Sequence, residues 1–271
     1  MKSINVFTGL AAFCFLSIMA CTPKPYKQTN KVYKRQSKEF ARQLSTYPLK
    51  DSFDLPTEFV GTTNFSLRKP NYVIIHHTAQ NSCEQTLKTF TLQRTQVSSH
   101  YVVCRTGNVF HMLNDLLRAH HAGVSSWGGT SDINSNSIGI EVDNNGSEPF
   151  SEAQINSLVA LLKNLKKNYR IPTKNFIGHA DIAPGRKVDP SRYFPWQQLA
   201  KEGYGIWYDT TNIAVPADFN AMMALRIIGY DVTKPNAAIQ SYKIHFLPTD
   251  TTTILTDTDN KILYSLMKQS M

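Results

Sequence analysis

Apolar runs separated by turn residues mark the middle of the chain as an α/β domain. Residues 71–77 form an unbroken β-branched and aromatic run that ends in two histidines, which is typical of a strand buried on both faces. Residues 137–143 alternate, so that the apolar side chains share one face and Glu141 and Asp143 point from the other. Helical spacing of apolar residues follows Ser151, which has a capping box with Gln154. Strands interleaved with helices predict a central mixed β-sheet flanked by helices.

The remaining periodic segments place this sheet within a larger chain. Residues 100–104 and 109–113 predict a hairpin, and Ser82 is placed to cap a short helix. After Trp207 the pattern changes to three helical segments. We therefore expect a principal domain over residues 51–208 and a small three-helix domain over 211–271.

The N-terminal residues have the pattern of an export signal. Lys2 precedes an apolar stretch that is too short for a membrane span and ends at Cys21. Residues 1–20 are thus expected to form a signal peptide, and residues 21–50, which contain few apolar side chains, a tether with one helical turn around Glu39.

The residues just before Cys21 resemble a bacterial lipobox. The resemblance implies that Cys21 is acylated and becomes the mature N-terminus, and Thr22 after it favours the outer membrane, with the protein facing the periplasm. The alternative is an ordinary cleaved signal with an incidental cysteine.

Composition limits the classes of partner. The 271 residues are 41% apolar and 18% charged, which is typical of a globular chain. The formal net charge of +9 favours an anionic partner, such as nucleic acid, a membrane surface or an acidic cell-wall polymer. No basic motif interleaved with aromatic residues supports nucleic acid, so that class is disfavoured.

A candidate metal site follows from three separated segments. His179 ends a short apolar run, and a loop rich in proline and glycine leads from it to Asp189. Catalytic zinc commonly takes three protein ligands from His and Asp or Glu, and keeps a fourth position open. His179 and Asp189, together with either His76 or His77, supply such a set.

Hydrolysis at such a site also needs a group that moves protons. Glu141 lies on the polar face of its strand and is a suitable acid and base. Lys187, two residues before Asp189, is placed to stabilise an oxyanion.

Three segments together resemble a known family. Residues 75–79, 137–141 and 179–190 are similar to the signature segments of zinc-dependent N-acetylmuramoyl-L-alanine amidases, whose domain is shared with peptidoglycan recognition proteins and phage lysozyme-amidases. With the N-terminal cysteine, the chain is most similar to AmiD-type outer-membrane lipoprotein amidases.

The resemblance implies a fold, a reaction and roles. The fold would be the mixed sheet of the peptidoglycan recognition proteins, and the reaction the cleavage of the amide between N-acetylmuramic acid and L-alanine in peptidoglycan or muropeptides. Zn²⁺ would be bound by His76, His179 and Asp189, with His77 not a ligand. Glu141 would be the acid and base, assisted by Lys187.

Other residues are assigned by the resemblance or left with alternatives. His121 and Trp127 lie in a segment similar to one that lines the substrate groove, which implies substrate contacts. Asp181 has two interpretations, as a metal ligand or as a residue that orients His179 or its loop. The competing functions are a recognition protein that binds peptidoglycan without cutting it, and a zinc hydrolase of other amides.

Two further features stay open on the sequence alone. Cys83 and Cys104 form an even pair in an exported domain, which permits either a disulfide or two buried thiols. The three C-terminal helices resemble a small peptidoglycan-binding domain, and the alternative is an appendage that stabilises the amidase.

Overall fold

The computed structural model describes residues 25–45, 62–64 and 66–271. The chain divides into two compact units, one up to Gly61 and one from Thr62 to Met271. The predicted signal peptide and Cys21 lie outside the described residues. Within the described part of the chain, no helix combines the length and apolar character needed to cross a bilayer.

The described part of the first unit is one helix, α1 (Lys27–Ser45). The helix is therefore much longer than the single turn predicted around Glu39, while the role of these residues as a tether stays a prediction. Lysine, arginine, glutamine and glutamate are good helix formers, although they supply little apolar surface. Glu39 also accepts hydrogen bonds from Arg42 and Gln43, three and four residues later, and such pairs stabilise a helix.

The second unit is built on a five-stranded mixed sheet. Its strands are β1 (Tyr72–His77), β2 (Tyr101–Val103), β3 (Val109–His111), β6 (Ser137–Val142) and β7 (Phe176–Gly178), and a separate two-stranded ribbon comprises β4 (Ser126–Trp127) and β5 (Thr130–Ser131). The strand order in the sheet is β3-β2-β6-β1-β7. The central pairs are parallel, and β3 lies antiparallel to β2 at one edge, which confirms the predicted hairpin.

One face of the sheet is covered by the longest helix of this unit. The odd-numbered apolar positions of β1 and the even-numbered ones of β6 pack against Ile155, Leu158 and Leu162. The capping box predicted at Ser151 and Gln154 starts this helix. The helices that lie between the strands or directly after them in the chain are α2 (Cys83–Thr91), α3 (Ile133–Asn136), α4 (Glu152–Tyr169), α5 (His179–Ile182) and α6 (Trp196–Lys201), with 3₁₀ turns at Gln93–Thr95 and Thr173–Asn175.

The opposite face of the sheet packs against the C-terminal helices α7 (Ala221–Ile228), α8 (Pro235–Phe246) and α9 (Asp257–Ser270). Ile74 and Ile177 of the sheet share one buried cluster with Leu225, Tyr242 and Leu263 of these helices. The three predicted helices are confirmed, but they do not form a domain apart from the sheet. The segments 51–208 and 211–271, which were expected to be separate domains, share one core. If they were apart, each segment would expose its half of this apolar cluster to water.

A disulfide between Cys83 and Cys104 ties α2 to the end of β2. The two Cα atoms are 5.4 Å apart, within the range that a disulfide requires. Of the two alternatives that the sequence left open, the structure shows the disulfide.

Candidate metal centre and active site

The polar groups of the site come from the carboxyl ends of three parallel strands. His76 is the penultimate residue of β1, Glu141 is the penultimate residue of β6, and His179 follows β7 directly. His76 and Glu141 are register partners, so their side chains leave the sheet on the same face. Parallel strands end at one edge, which is why residues more than 100 positions apart meet there.

Two histidines and one aspartate converge on a point. The Nδ1 atoms of His76 and His179 are 2.9 Å apart, and each lies 3.0–3.1 Å from Oδ2 of Asp189. All three side chains are buried. Of the two histidines that end β1, the structure therefore brings His76 into the cluster.

The arrangement fits a metal ion. The Nε2 atom of His179 lies 3.1 Å from the carbonyl oxygen of Ala122, which only accepts, and 3.4 Å from Nη2 of Arg186. That Arg186 nitrogen has its short hydrogen bond, 2.6 Å, to the same carbonyl oxygen, so Nε2 carries the proton and Nδ1 presents a lone pair. Lone pairs of two imidazoles and a carboxylate then face one another at short range, and a cation satisfies all of them. Tetrahedral zinc ligands about 2.0–2.1 Å from the metal are separated by about 3.3 Å, close to the spacing seen here.

Protonation supports the same interpretation. Burial, together with the nearby His179, lowers the pKa of His76 to about 4, although Asp189 acts in the opposite direction. Burial acts to raise the pKa of Asp189, but hydrogen bonds with His179 and His76 outweigh it and hold that pKa well below its ordinary value. A neutral imidazole and an ionised carboxylate are the forms that bind a divalent cation.

Glu141 lies beside this cluster in an unusual environment. Its Oε2 atom is buried and accepts no hydrogen bond from any residue that the structure describes. Burial and, to a smaller extent, the charge of Asp189 raise the pKa of Glu141 to about 8, although Lys187 acts in the opposite direction. A carboxyl group with a pKa near neutrality and a free oxygen is suited to accept and return a proton.

Lys187 lies within electrostatic range of Glu141 and His76, whose pKa values its charge lowers. Its backbone N–H donates to Ala183, so the position is set by the turn between His179 and Asp189. The structure thus gathers all five residues predicted for zinc binding and catalysis at one edge of the sheet.

Comparison with known proteins agrees with this geometry. The family model "N-acetylmuramoyl-L-alanine amidase" (Amidase_2) matches residues 66–192. The amidase AmiD of Escherichia coli (strain K12) is 36% identical over 210 residues, which cover 65% of this chain and 75% of that protein. The chain belongs to the N-acetylmuramoyl-L-alanine amidase family.

Solved structures of relatives share the fold of this amidase. A complex of AmiD from E. coli with the substrate anhydro-N-acetylmuramic acid-L-Ala-D-gamma-Glu-L-Lys matches with a TM-score of 0.68 at 31% identity, covering 77% of this chain and 93% of that one. AmpDh3 from Pseudomonas aeruginosa matches with a TM-score of 0.68 at 26% identity, covering 80% and 99%. The predicted mixed sheet flanked by helices is confirmed.

Two residues predicted to contact substrate make contacts inside this amidase. Both ring nitrogens of His121 are engaged inside the protein, Nδ1 with His76 and Nε2 with Ser137. Trp127 is buried and packs edge to face on Tyr230, with ring centroids 4.9 Å apart, and it also lines a pocket beside that residue. Their contact with substrate stays a prediction. The local motif identifies these two residues. It does not predict the strand behind His121 or the helix that covers Trp127, because those contacts form only in the tertiary fold.

Asp181 is not part of the metal cluster. Its Oδ2 atom accepts hydrogen bonds from the backbone of Gly178 and from His245, both at 2.7 Å, and its Oδ1 atom accepts one from Tyr230 at 2.8 Å. Of the two interpretations, the structure supports a residue that orients the loop of His179. The partners from the C-terminal helices were missed, because no local pattern links residue 181 to residues 230 and 245.

His77 also lies outside the metal cluster. Its Nδ1 atom accepts a hydrogen bond from the backbone of Ser191 at 3.0 Å, and its ring packs against Gly146, where a Cβ atom would lie 2.9 Å from it. The consecutive histidines therefore point to opposite sides of β1, as the alternation of a strand requires.

Proposed function

We propose that this amidase uses Zn²⁺ to hydrolyse the amide bond between the lactyl group of N-acetylmuramic acid and L-alanine, in peptidoglycan or its fragments. The observation that carries the proposal is the convergence of His76, His179 and Asp189 beside Glu141, whose Oε2 atom is unpaired. Family membership supports the substrate class, and the relative AmiD has been crystallised with a substrate of that class.

His76 and His179, through Nδ1, and Asp189, through Oδ2, would hold the metal. Zinc bound at such a site supplies Lewis-acid chemistry, polarising a carbonyl and lowering the pKa of water to near neutrality. A divalent cation next to Glu141 also favours the ionised carboxylate, so the metal-loaded protein would hold Glu141 as a base at neutral pH.

Glu141 then moves one proton in two steps. Its carboxylate accepts a proton from the attacking water as the new C–O bond forms at the lactyl carbonyl carbon. It returns that proton to the amide nitrogen as the C–N bond breaks, so that L-alanine leaves as a neutral amine. The ammonium group of Lys187 stabilises negative charge on the carbonyl oxygen, a contribution that typically amounts to about a hundred- to a thousandfold in rate.

Mass spectrometry of muropeptide digests tests the reaction. The protein loaded with zinc should release a stem peptide with a free N-terminal alanine, chelation should stop the release, and Glu141→Gln should reduce it by about a thousandfold or more while zinc is retained. Glu152→Gln, the same exchange at an exposed position in the first turn of α4, is the control that should not change the rate. Retention of muropeptide without any product from folded, zinc-loaded protein would favour a recognition protein instead. Cleavage of unrelated amides with equal efficiency would favour a hydrolase of broader scope.

We further propose that Cys21 carries lipid and anchors the amidase to the outer membrane on its periplasmic side, where peptidoglycan is the polymeric partner. The lipobox-like residues before Cys21 support this assignment, and residues 21–61 supply the connection to the catalytic unit. Metabolic labelling with a fatty acid should mark the wild-type chain and not Cys21→Ala. Labelling of both, or of neither, would contradict the anchor.

A further inference from the structure

A chain of hydrogen bonds leads from His76 away from the metal cluster into the core. The Nε2 atom of His76 lies 3.0 Å from Nδ1 of His121, and Nε2 of His121 lies 3.1 Å from the hydroxyl oxygen of Ser137. That hydroxyl donates to the carbonyl oxygen of Ile133 at 2.7 Å. Each of these groups is buried, so no exchange with bulk water supplies an alternative partner.

The direction of this chain follows from its last member. The hydroxyl of Ser137 has one hydrogen, which the carbonyl of Ile133 takes, so its oxygen accepts from Nε2–H of His121. A neutral His121 then has no proton on Nδ1 and accepts there from Nε2–H of His76. His76 is left with a free lone pair on Nδ1, the atom that faces Asp189.

A second hydrogen bond fixes His179, and its acceptor is on the residue next to His121 in the sequence. His179 donates from Nε2 to the carbonyl oxygen of Ala122, which follows His121 directly. The side-chain oxygen of Asn134 accepts from the backbone N–H groups of both His121 and Ala122, at 3.0 and 2.9 Å. One amide therefore holds the two-residue segment that contacts both metal-binding imidazoles.

The space for this segment is provided by a glycine in β6. A Cβ atom at Gly139 would lie 2.4 Å from Cγ of His121 and 2.6 and 2.7 Å from two further atoms of the ring. Cβ atoms essentially never approach other atoms this closely, so the ring fits against the strand only because position 139 has no side chain.

We propose that the segment His121–Ala122, held by Asn134, is a positioning element that fixes both metal-binding histidines in the tautomer with a free Nδ1 lone pair. This inference rests on the proposed zinc site and deepens it. In this role His121 and Ala122 act through their contacts with His76 and His179. Outer-shell hydrogen bonds of this kind typically account for a 10- to 100-fold effect on metal affinity.

The tautomers can be observed without metal or substrate. Long-range ¹H–¹⁵N correlation spectra of the metal-free protein separate imidazoles protonated on Nε2 from those protonated on Nδ1. His76 and His179 should both be protonated on Nε2 in the wild-type chain. His121→Leu has an apolar side chain of similar bulk and removes the acceptor. In this variant His76 should become a mixture of tautomers while His179 is unchanged. Protonation of His76 on Nδ1 in the wild type, or an unchanged His76 in His121→Leu, would overturn the proposal.

Zinc affinity, measured by competition with a chromogenic chelator, gives the second readout. His121→Leu should weaken binding 10- to 100-fold. His121→Asn, whose side-chain oxygen can occupy the place of Nδ1, should bind more tightly than the leucine variant. His120→Leu is the matched control, because His120 is exposed and precedes the segment. Equal affinity of the leucine and asparagine variants would indicate a packing role only. Failure of the wild-type protein to bind zinc would refute the proposed metal site, whereas the spectra of the metal-free protein test the positioning element independently.

Discussion

Asp181 lies 2.7 Å from Nδ1 of His245, and this buried contact joins the loop that carries His179 to the C-terminal helix α8. The imidazole also stacks on Trp196, with ring centroids 4.0 Å apart and planes within 16° of parallel. The C-terminal helices therefore contact the segment that carries His179 directly. Loss of this contact should disturb the position of His179 in the metal site.

His245→Phe tests that contact. Phenylalanine keeps the stacking on Trp196 but removes the donor to Asp181, which leaves a buried carboxylate with fewer partners. We expect the free energy of unfolding to fall by about 2–4 kcal/mol, measured by chemical denaturation of the metal-free protein. Tyr230→Phe removes the other side-chain donor, which bonds Oδ1 of Asp181, and should cost about 1–3 kcal/mol. A loss below about 0.5 kcal/mol for His245→Phe would contradict the role of the contact.

A chain that ends after residue 210 tests whether the C-terminal helices form a separate domain. Removal of the C-terminal helices uncovers Ile74 and Ile177, which these helices cover in the intact protein. We expect the truncated chain to aggregate or to lack a cooperative thermal transition, and the intact second unit to unfold in one transition. Two resolved transitions in the intact protein, or a soluble and cooperatively folded truncation, would show that the segments are independent.

The buried carboxyl of Glu141 predicts a pH dependence of stability in the metal-free protein. Because folding raises its pKa from the ordinary 4.5 to about 8, the native state binds this proton more tightly than the unfolded state does. The free energy of unfolding therefore falls as pH rises from about 4.5 towards 8 and stays low above that range.

Glu141→Gln removes this dependence. The variant and the wild type should be similarly stable at pH 4, and at pH 8.5 the variant should be more stable by about 1–4 kcal/mol, since each pKa unit corresponds to about 1.4 kcal/mol. Denaturant titrations at the two pH values make the comparison. A variant that is less stable than the wild type at pH 8.5 would contradict the assigned environment of Glu141.

The disulfide between Cys83 and Cys104 should stabilise the fold through the loop it closes. For a sequence separation of 21 residues, the restriction of the unfolded chain corresponds to about 3 kcal/mol. The variant in which both cysteines are replaced by serine should lose about 2–4 kcal/mol relative to the oxidised wild type, and added reductant should have no further effect on it. Equal stability of the oxidised and reduced wild type would be the contrary result.

The sequence predicts the parts of the molecule that depend on local pattern. Strands β1 and β6 are visible as β-branched runs, and the helix after Ser151 as a capping box. The family segments place His76 and His179 at the ends of strands and Asp189 in the loop beyond one. These strand ends lie at one edge of the sheet because the strands pair in parallel, which is the usual arrangement when strands alternate with helices.

The sequence does not predict contacts that form only when distant elements pack. His121 lies in a motif that resembles a substrate groove, yet its ring is buried because Gly139 of β6 admits it. The C-terminal helices were predicted, but their shared core with the sheet depends on faces that match in three dimensions. Helix α1 was missed because its polar composition resembles a tether, although its residues favour a helix.

Zinc content after purification tests the central claim most directly, when wild type, His76→Ala and His77→Ala are compared by elemental analysis. Only His76 lies with its Nδ1 atom next to His179 and Asp189, whereas His77 contacts Ser191. We predict stoichiometric zinc in the wild type and in His77→Ala, and little or none in His76→Ala. Loss of zinc from His77→Ala with full zinc in His76→Ala would show that the metal centre has been assigned to the wrong histidine.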